Sequence, residues 1–373
     1  MKKITRKGIL LMATASLLLN ANAQKKGEYP IVWNGSFTTE AEGNFTNGEW
    51  NSTSLLFLNA EAKLWKGAKA QGGITGMYNL RLDQDKSWSV CDDRMMFSNL
   101  PYIKEPMLLS HLGIEQRLLD DKVMLFLGVR KADMDYFITP YSLLFLNTAV
   151  IINPVVSTVW GVPHYGTSAL CFHAQWEFMP GFTVKYSLYN GQKSSCWDQM
   201  FYFRPNRDGV NQIAELSYKG DGCCSSYVGE YHLGMIYADS KYLDNYFASR
   251  VISNNDGKKH SGCSVFANVD QPLYVGKYPV GLMAQGGLTK KYVDNANAFY
   301  SLGLKMDNLM AEQSQVGVSL SRGYFADGVH ESDFEITFSY PVMKNVAIQP
   351  GVHFISTSGE RSTCALCRAS INF

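Results

Sequence analysis

Acidic residues are the first candidates for chemistry in this chain of 373 residues. Glycoside hydrolysis requires two carboxylates about 5 to 10 Å apart in a cleft, and Glu115 with Glu177 or Glu215 could supply them. These three residues belong to a larger set of charged side chains that recurs at alternating positions along the sequence. Because nothing singles out one pair, the pattern favours a non-enzymatic protein with no catalytic residues.

Cysteine is the other residue type that could bind a metal or form a cross-link. Cys364 and Cys367 form a CxxC motif, a spacing found in zinc sites, but residues three apart on a strand point to opposite faces. We therefore expect no metal and no cofactor. The eight cysteines leave open a disulfide between loop residues of an exported protein, and spacing alone cannot give its connectivity. The simpler interpretation is that they are tolerated small residues.

The start of the chain has the pattern of a secretory signal peptide. Four basic residues lie within the first seven positions, an apolar run covers residues 9–19, and Ala21-Asn22-Ala23 supplies small side chains before a cleavage site. We therefore assign residues 1–23 to a signal peptide and residues 24–373 to a single mature domain.

The charge of the mature chain argues against a nucleic acid partner. Removing the leader leaves 30 basic residues (34 minus 4) against 33 acidic ones, a net charge of −3, whereas nucleic acid binding requires a basic surface. No later segment has the roughly 18 consecutive apolar residues of a membrane-spanning helix. An exported chain with 46% hydrophobic residues is then either a soluble β-protein or a barrel that crosses a membrane with strands.

Apolar and polar side chains alternate through most of the mature chain. In residues 168–178, for example, Phe172 and Trp176 alternate with His173 and Gln175. Such alternation predicts β-strands, and roughly 14 to 16 are expected, with an even number for a closed bacterial barrel. The predicted strands are residues 54–62, 71–82, 108–119, 122–130, 168–178, 182–188, 213–219, 227–238, 263–274, 280–288, 298–306, 316–322, 333–340, 346–355 and 365–373.

A β-sandwich with its polar face in water is the alternative to a barrel. The distribution of charge favours the barrel, because the polar faces carry many charges and the matching apolar faces carry none. A charge facing lipid at the bilayer centre would cost roughly 2 to 4 kcal/mol. The 21 Tyr and 20 Phe residues also suit the aromatic girdles of a barrel. The charged residues on the polar faces are His111, Glu115, Arg117, Lys122, Arg130, Glu177, Lys185, Glu215 and Lys219.

The last predicted strand ends on Phe373. An alternating strand with a terminal aromatic residue resembles the closing strand of outer-membrane β-barrels, whose last residue is part of the signal read by the barrel-assembly machinery. This resemblance implies that the assembly machinery is a partner that binds through Phe373.

Four short stretches, in order along the chain, resemble carbohydrate-selective porins. In NVAIQPGVHFIS, residues 345–356, Gln349 and Pro350 precede an alternating aromatic strand as in that family. The other three stretches are residues 64–74, 125–150 and 162–192. The chain departs from the family in its eight cysteines and in a divergent middle at residues 196–270.

The resemblance implies a transmembrane antiparallel β-barrel of about 16 strands in the outer membrane of a Gram-negative bacterium. Small sugars would cross it by passive, saccharide-preferring diffusion through a water-filled lumen. Outer-membrane lipid and sugars in transit are the implied partners, and a homotrimer is the candidate assembly. The alternatives are a general or hydrophobic-solute diffusion channel and, in a different class, a secreted β-sandwich binding protein.

The long stretch from residue 131 to residue 166 is too apolar for a solvated loop, so we expect it to fold inward and narrow the lumen. Sugars have apolar ring faces and hydroxyl edges, which aromatic and charged groups would contact. Alternatively, the charges only solvate a wide lumen and the aromatic residues pack the loop against the wall. The candidates for the constriction are Arg81, Glu115, Arg117 and Arg130 on the strands, and Asp133, Asp135, Tyr136, Phe137, Trp160, His164 and Tyr165 on the loop.

Overall fold

Sixteen antiparallel strands form a closed barrel in the computed structural model, which describes residues 31–84, 86, 89–100, 107–157, 159, 162–164, 166–220, 228–240, 260–289 and 296–373. The predicted signal peptide lies outside these described residues. Each strand pairs with its sequence neighbours, and β1 pairs with β16, which confirms the predicted all-β barrel. The strands are β1 Ile31–Asn44, β2 Glu49–Lys63, β3 Ala68–Asn79, β4 Met107–Leu118, β5 Val123–Arg130, β6 Ala169–Met179, β7 Phe182–Asn190, β8 Val210–Lys219, β9 Glu230–Ser240, β10 His260–Tyr274, β11 Val280–Thr289, β12 Ala296–Asp307, β13 Gln315–Phe325, β14 His330–Met343, β15 Val346–Thr357 and β16 Glu360–Asn372.

The seam between β1 and β16 closes the sheet and includes the last residue of the chain. Phe373 and Gly35 exchange two backbone hydrogen bonds, each 2.9 Å long. Further along the seam, Arg368 Nη2 donates to Glu40 Oε2 at 2.8 Å, and both side chains are buried inside the barrel. Because every edge is paired, the sheet presents no free strand to solvent or lipid.

The two faces of the strands separate as the alternation predicts. On β6, Phe172 and Trp176 are 41% and 51% exposed on the outer surface, whereas His173 is fully buried inside. Cys364 and Cys367 also lie on opposite faces of β16, the first buried and the second exposed. The outer face is therefore apolar and the inner face is polar, as a membrane-spanning barrel requires.

Every strand except β1 corresponds to a predicted strand. After Phe37 the outer face of β1 contains only Thr39, Ala41 and Gly43, so the second half of this strand shows little contrast in hydrophobicity with the inner face. The prediction for β3 was too long, because the strand ends at Asn79 and a short helix follows it.

The two ends of the barrel differ in the length of their connections. The short-turn end, beside Phe373, includes the turns at Asp120-Asp121 and Pro180-Gly181. The long-loop end carries the connections 80–106, 131–168 and 191–209. None of the described helices is long and apolar enough to cross a membrane. The short α- and 3-10 helices of the long-loop end are Leu80–Asp83, Ala132–Met134, Ser142–Leu144, Thr148–Ile151, Pro154–Ser157, Gln199–Phe201 and Pro205–Asp208.

Candidate functional site

The connection between β5 and β6, residues 131–168, enters the barrel, and we call it the inner loop. The backbone N–H of Tyr141 donates to Asp270 Oδ2 on β10 at 2.7 Å. The backbone N–H of Leu146 donates to Glu335 Oε1 on β14, also at 2.7 Å. Both acidic side chains are buried on the inner face of the wall. The loop therefore crosses the lumen, as the sequence predicts.

Glycines on the inner wall make room for the inner loop. A Cβ atom at Gly351 would lie 2.3 Å from Leu146 Cδ1, and one at Gly281 would lie 2.2 Å from the Tyr141 ring. These distances are far below van der Waals contact, so any larger residue would displace the loop side chain. The glycines in contact with the loop in this way are Gly281, Gly287, Gly303, Gly317 and Gly351.

A buried ion pair fixes the beginning of the inner loop. Arg130 at the end of β5 donates two parallel hydrogen bonds to the Asp135 carboxylate, at 2.6 and 2.5 Å. The ammonium of Lys185 on β7 donates to the Asp135 carbonyl oxygen at 2.7 Å and to Glu215 Oε1 at 2.9 Å. Arg130 and Asp135 thus join the loop to the wall by a bidentate, charge-assisted contact.

Tyr136 and Phe137 pack the same part of the loop against an apolar patch. The Tyr136 hydroxyl lies 2.9 Å from Ser187 Oγ, and burial raises the pKa of the Tyr136 phenol. Phe137 meets Phe266 edge to face with 5.1 Å between ring centroids. The sequence predicts polar side chains on the inner face, so this apolar patch was not expected. Its members on the wall are Phe126, Tyr189, Ile213, Ile236 and Phe266.

Glu115 and Arg117 lie side by side on the inner face of β4. Arg117 Nε donates to Glu115 Oε1 at 2.8 Å, and Lys69 Nζ on β3 lies 3.7 Å from Glu115 Oε2. The Arg117 side chain is 45% exposed and that of Glu115 only 6%. Arg117 is therefore the predicted strand residue that remains most open to a solute.

The wall formed by β6 to β9 contains an open cavity of about 230 Å³. It is near the short-turn end, and its lining includes Gln175, Thr183, Lys185, Glu230 and His232. These side chains supply amide, hydroxyl, ammonium, carboxylate and imidazole groups, so the cavity offers both hydrogen-bond donors and acceptors.

The remaining predicted residues do not join these groups. Arg81 does not lie on a strand, as its assignment to a polar strand face requires; it is on the helix after β3 and pairs with Glu49 at 2.9 Å. Asp133 is buried at the start of the inner loop. Trp160 and Tyr165 lie outside the described residues.

A second segment, residues 89–100 of the connection between β3 and β4, also lies inside the barrel, and we call it the inner segment. The backbone N–H of Met95 donates to Glu331 Oε1 on β14 at 2.8 Å. Thr148 Oγ1 of the inner loop donates to the Ser98 carbonyl oxygen at 2.8 Å. The inner segment therefore connects the wall to the inner loop, a role that its sequence does not indicate.

Two ionisable groups of these loops have shifted pKa values. Burial and the neighbouring Glu331 carboxylate raise the pKa of Asp93 well above its usual value, and Asp93 Oδ2 accepts a hydrogen bond from Phe97 N at 2.5 Å. Burial and the Lys193 ammonium lower the pKa of His164, whose Nε2 lies 3.4 Å from Lys193 Nζ. In the described part of the chain, no group of three or more His, Cys, Asp or Glu residues is placed to hold a metal ion.

Acidic residues of the wall are the positioning residues that sequence reasoning missed. Asp270, Glu331, Asp333 and Glu335 all accept hydrogen bonds from the two inward-folded connections. The alternation predicts that Asp333 and Glu335 face inward, which is correct. It gives no sign that Glu335 binds backbone N–H groups of the inner loop or that Asp333 binds the Asn147 side-chain amide, both far away in sequence.

Comparison with known families decides what kind of barrel this is. The model of the carbohydrate-selective porin family, OprB, matches residues 104–365, which is 262 of the 373 residues. The chain belongs to the carbohydrate-selective porin family. It is an outer-membrane porin of a Gram-negative bacterium, through which saccharides diffuse passively. A search of curated proteins finds no match.

Solved porin structures share the fold of this family member. OprB of Pseudomonas putida at high pH is 15% identical, with a TM-score of 0.76 and 97% of both chains covered. Its low-pH structure is 14% identical, with a TM-score of 0.59 over 97% of this chain and 96% of that one. The outer membrane channel DcaP of Acinetobacter baumannii is 10% identical, with a TM-score of 0.58 over 92% and 97%. At these identities the likeness shows the fold alone.

Proposed function

We propose that this porin selects saccharides beside the inner loop, where Arg117 contacts the solute, Glu115 holds the Arg117 guanidinium in place, and Arg130, Asp135 and Tyr136 position the loop. The observation that carries the proposal is the difference in accessibility between Arg117 and the buried charged groups around it. The Arg130 and Asp135 side chains are 7% and 5% exposed, whereas that of Arg117 is 45% exposed. A buried group cannot bind a solute in transit, but it can hold the loop in place.

Paired charges suit a neutral, hydroxyl-rich solute. Arg117 donates hydrogen bonds that match the hydroxyl edges of a sugar ring, and Glu115 accepts one from Arg117 Nε, which fixes the direction of the guanidinium. Because the two charges are 2.8 Å apart, their fields largely cancel, and the pair attracts ions less than a single charge would. The cavity on β6 to β9 repeats this arrangement with Lys219 and Glu230, which form an ion pair 2.5 Å long. Both features favour saccharide selectivity over a general or hydrophobic-solute channel.

Liposome swelling tests the proposal. Purified wild-type protein should admit sugars faster than amino acids or salts of similar size. Arg117→Gln removes a solute hydrogen bond worth about 1 kcal/mol and should slow sugar entry roughly 5-fold. Arg361→Gln, exposed at the start of β16, is the matched control and should leave the rate unchanged.

Two results would count against the proposal in different ways. If sugars enter no faster than other solutes, the barrel is a general channel. If Arg117→Gln admits sugars at the wild-type rate, Arg117 does not contact the solute.

The proposal also includes the processing and assembly of the chain. Residues 1–23 act as the signal peptide, Phe373 is read by the barrel-assembly machinery, and the barrels associate as homotrimers without catalytic activity. Support for the trimer comes from OmpT of Vibrio cholerae, described in its trimer form, which is 12% identical with a TM-score of 0.54. Chemical cross-linking in outer-membrane vesicles should give a three-subunit band, and a single-subunit band alone would exclude the trimer.

A further inference from the structure

Two cysteines from distant parts of the chain meet inside the barrel. Cys91 belongs to the inner segment, and Cys364 is fully buried on the inner face of β16. Cys91 packs against an apolar cluster that contains Val90, Leu146 and Cys364 itself. Asn44 on β1, which pairs with Cys364 across the seam, donates its side-chain amide to the Val90 carbonyl oxygen at 3.0 Å. The fold therefore brings two cysteines into one cluster, although 273 positions separate them in the sequence.

The other described cysteines are placed differently. Cys367 faces outward on β16, and Cys196 is exposed in the connection between β7 and β8. Cys171 is buried on β6, opposite Tyr189 of β7. The Cys263 thiol on β10 contacts the Ser264 carbonyl oxygen at 3.8 Å. The contact between Cys91 and Cys364 is thus specific to that pair among these six residues.

We propose that Cys91 and Cys364 form a disulfide bond that ties the inner segment to the barrel wall. An outer-membrane protein crosses the oxidising periplasm, where disulfides form and persist. Two thiols that already pack in one cluster inside a folded protein need only a small movement to become bonded. This site answers the question that the spacing of the cysteines leaves open.

The oxidation proceeds by thiol–disulfide exchange with an exported protein whose active site contains a disulfide. The neighbouring Cys364 thiol lowers the pKa of Cys91, so the Cys91 thiolate attacks one sulfur of the oxidant and displaces the other. The Cys364 thiolate then attacks the Cys91 sulfur and displaces the oxidant. The oxidant leaves as a dithiol, carrying the two electrons and the two protons lost by the cysteines.

The disulfide would restrain more than the inner segment. Asn99 Nδ2 donates to the Phe145 carbonyl oxygen at 3.1 Å, and the backbone N–H of Thr148 donates to the Met96 carbonyl oxygen at 2.8 Å. These bonds join the inner segment to the inner loop. A covalent link at Cys91 therefore limits the movement of both inward-folded connections relative to β16.

Mass spectrometry of the full-length porin from outer membranes tests the bond. Free thiols are blocked with N-ethylmaleimide during lysis, and the protein is digested without reduction. We expect a cross-linked peptide pair that contains Cys91 and Cys364 and separates on reduction. In Cys364→Ser the pair should be absent and Cys91 should be alkylated. Cys367→Ser, the matched control from the opposite face of the same strand, should keep the cross-link.

Two further measurements separate a missing disulfide from a failure of the variant to fold. Heat-modifiable gel migration shows whether each variant forms a barrel, and oxidised glutathione added to the folded protein tests whether the contact itself can be oxidised. Dithiothreitol should increase the single-channel current noise of the wild type and leave that of Cys91→Ser/Cys364→Ser unchanged. The proposal is wrong if both cysteines are alkylated in protein from outer membranes and stay reduced with oxidised glutathione. Equal noise with and without dithiothreitol would exclude the restraint on the connections.

Discussion

In the function proposed above, single residues inside this barrel divide into those that hold the loops in place and those that contact the solute. Arg117 and Glu115 are two residues apart on one strand, so the alternation alone predicts that they are neighbours in the lumen. Arg130 and Asp135 are five residues apart, across the end of β5, and their bidentate contact depends on the path of the inner loop. Sequence reasoning therefore identified both pairs as inward-facing groups but could not separate their roles.

Asp135→Asn should loosen the beginning of the inner loop. The substitution leaves the buried Arg130 guanidinium without a countercharge, and breaking a buried ion pair costs about 3 to 5 kcal/mol. Planar lipid bilayer recordings should show larger and more frequent current fluctuations than the wild type. Asp121→Asn, in an exposed turn, is the matched control. Fluctuations no larger than in that control would mean that the ion pair does not hold the loop.

The raised pKa of Asp93 predicts how stability changes with pH. The folded protein keeps this carboxyl protonated to a higher pH than the unfolded chain, in which it ionises near its ordinary pKa of about 3.9. Stability is therefore lost as the pH rises from that value through the folded-state pKa. Asp93→Asn cannot ionise, so its unfolding temperature should fall less with rising pH than that of the wild type.

Asp92→Asn is the control for the Asp93 experiment, because Asp92 is exposed beside it in the inner segment. Its unfolding temperature should follow the wild type at every pH. Parallel curves for Asp93→Asn and the wild type would contradict the proposed protonation of Asp93 in the folded state.

At the scale of elements, the inner loop and the wall fit each other through positions far apart in sequence. The apolar composition of residues 131–166 correctly predicts that the loop folds inward. The glycines on β11, β12, β13 and β15 that receive it carry no such signal, because a glycine in a strand is equally typical of a bulge or a bend. Which wall a loop contacts is a long-range property, and a pattern with a period of two residues describes only local geometry.

Gly351→Ala should displace the inner loop while the barrel stays closed. The added methyl group would lie 2.3 Å from Leu146 Cδ1, and Leu146 is fully buried, so relief requires movement of the loop at a cost of about 1 to 3 kcal/mol. Limited proteolysis should cut the inner loop faster than in the wild type. Gly286→Ala is the control, because its nearest neighbour would be 3.8 Å away.

Cleavage of Gly351→Ala at the control rate would show that the loop tolerates the methyl group. Loss of heat-modifiable migration in Gly351→Ala alone would instead show that the glycine is needed to form the barrel.

The architecture of the whole barrel is the feature that the sequence predicts best. The alternation places Phe172 outside and Gln175 inside, and the structure agrees. Strand β1 is the exception, because small residues in the second half of its outer face leave little difference in hydrophobicity between its two faces. A closed barrel repeats one simple rule on every strand, so one weak strand does not obscure the architecture.

Phe172→Arg should destabilise the barrel far more than Gln175→Arg. The first substitution puts a charge on the outer face, against lipid hydrocarbon, at a cost of roughly 2 to 4 kcal/mol near the midplane. The second adds a charge to a polar, water-accessible wall. Urea titrations in phospholipid vesicles should show a lower unfolding midpoint for Phe172→Arg only. Equal midpoints would mean that the two faces of β6 do not differ in their surroundings.

The ion pair between Glu40 and Arg368 has a consequence for how an incomplete barrel behaves. Glu40 lies on the first strand and Arg368 on the last, and both side chains are buried inside the barrel that these two strands close. A chain lacking either strand would leave the surviving partner with an uncompensated charge facing the two inward-folded connections. The unpaired charge therefore lowers the stability of truncated or misregistered barrels relative to the complete one.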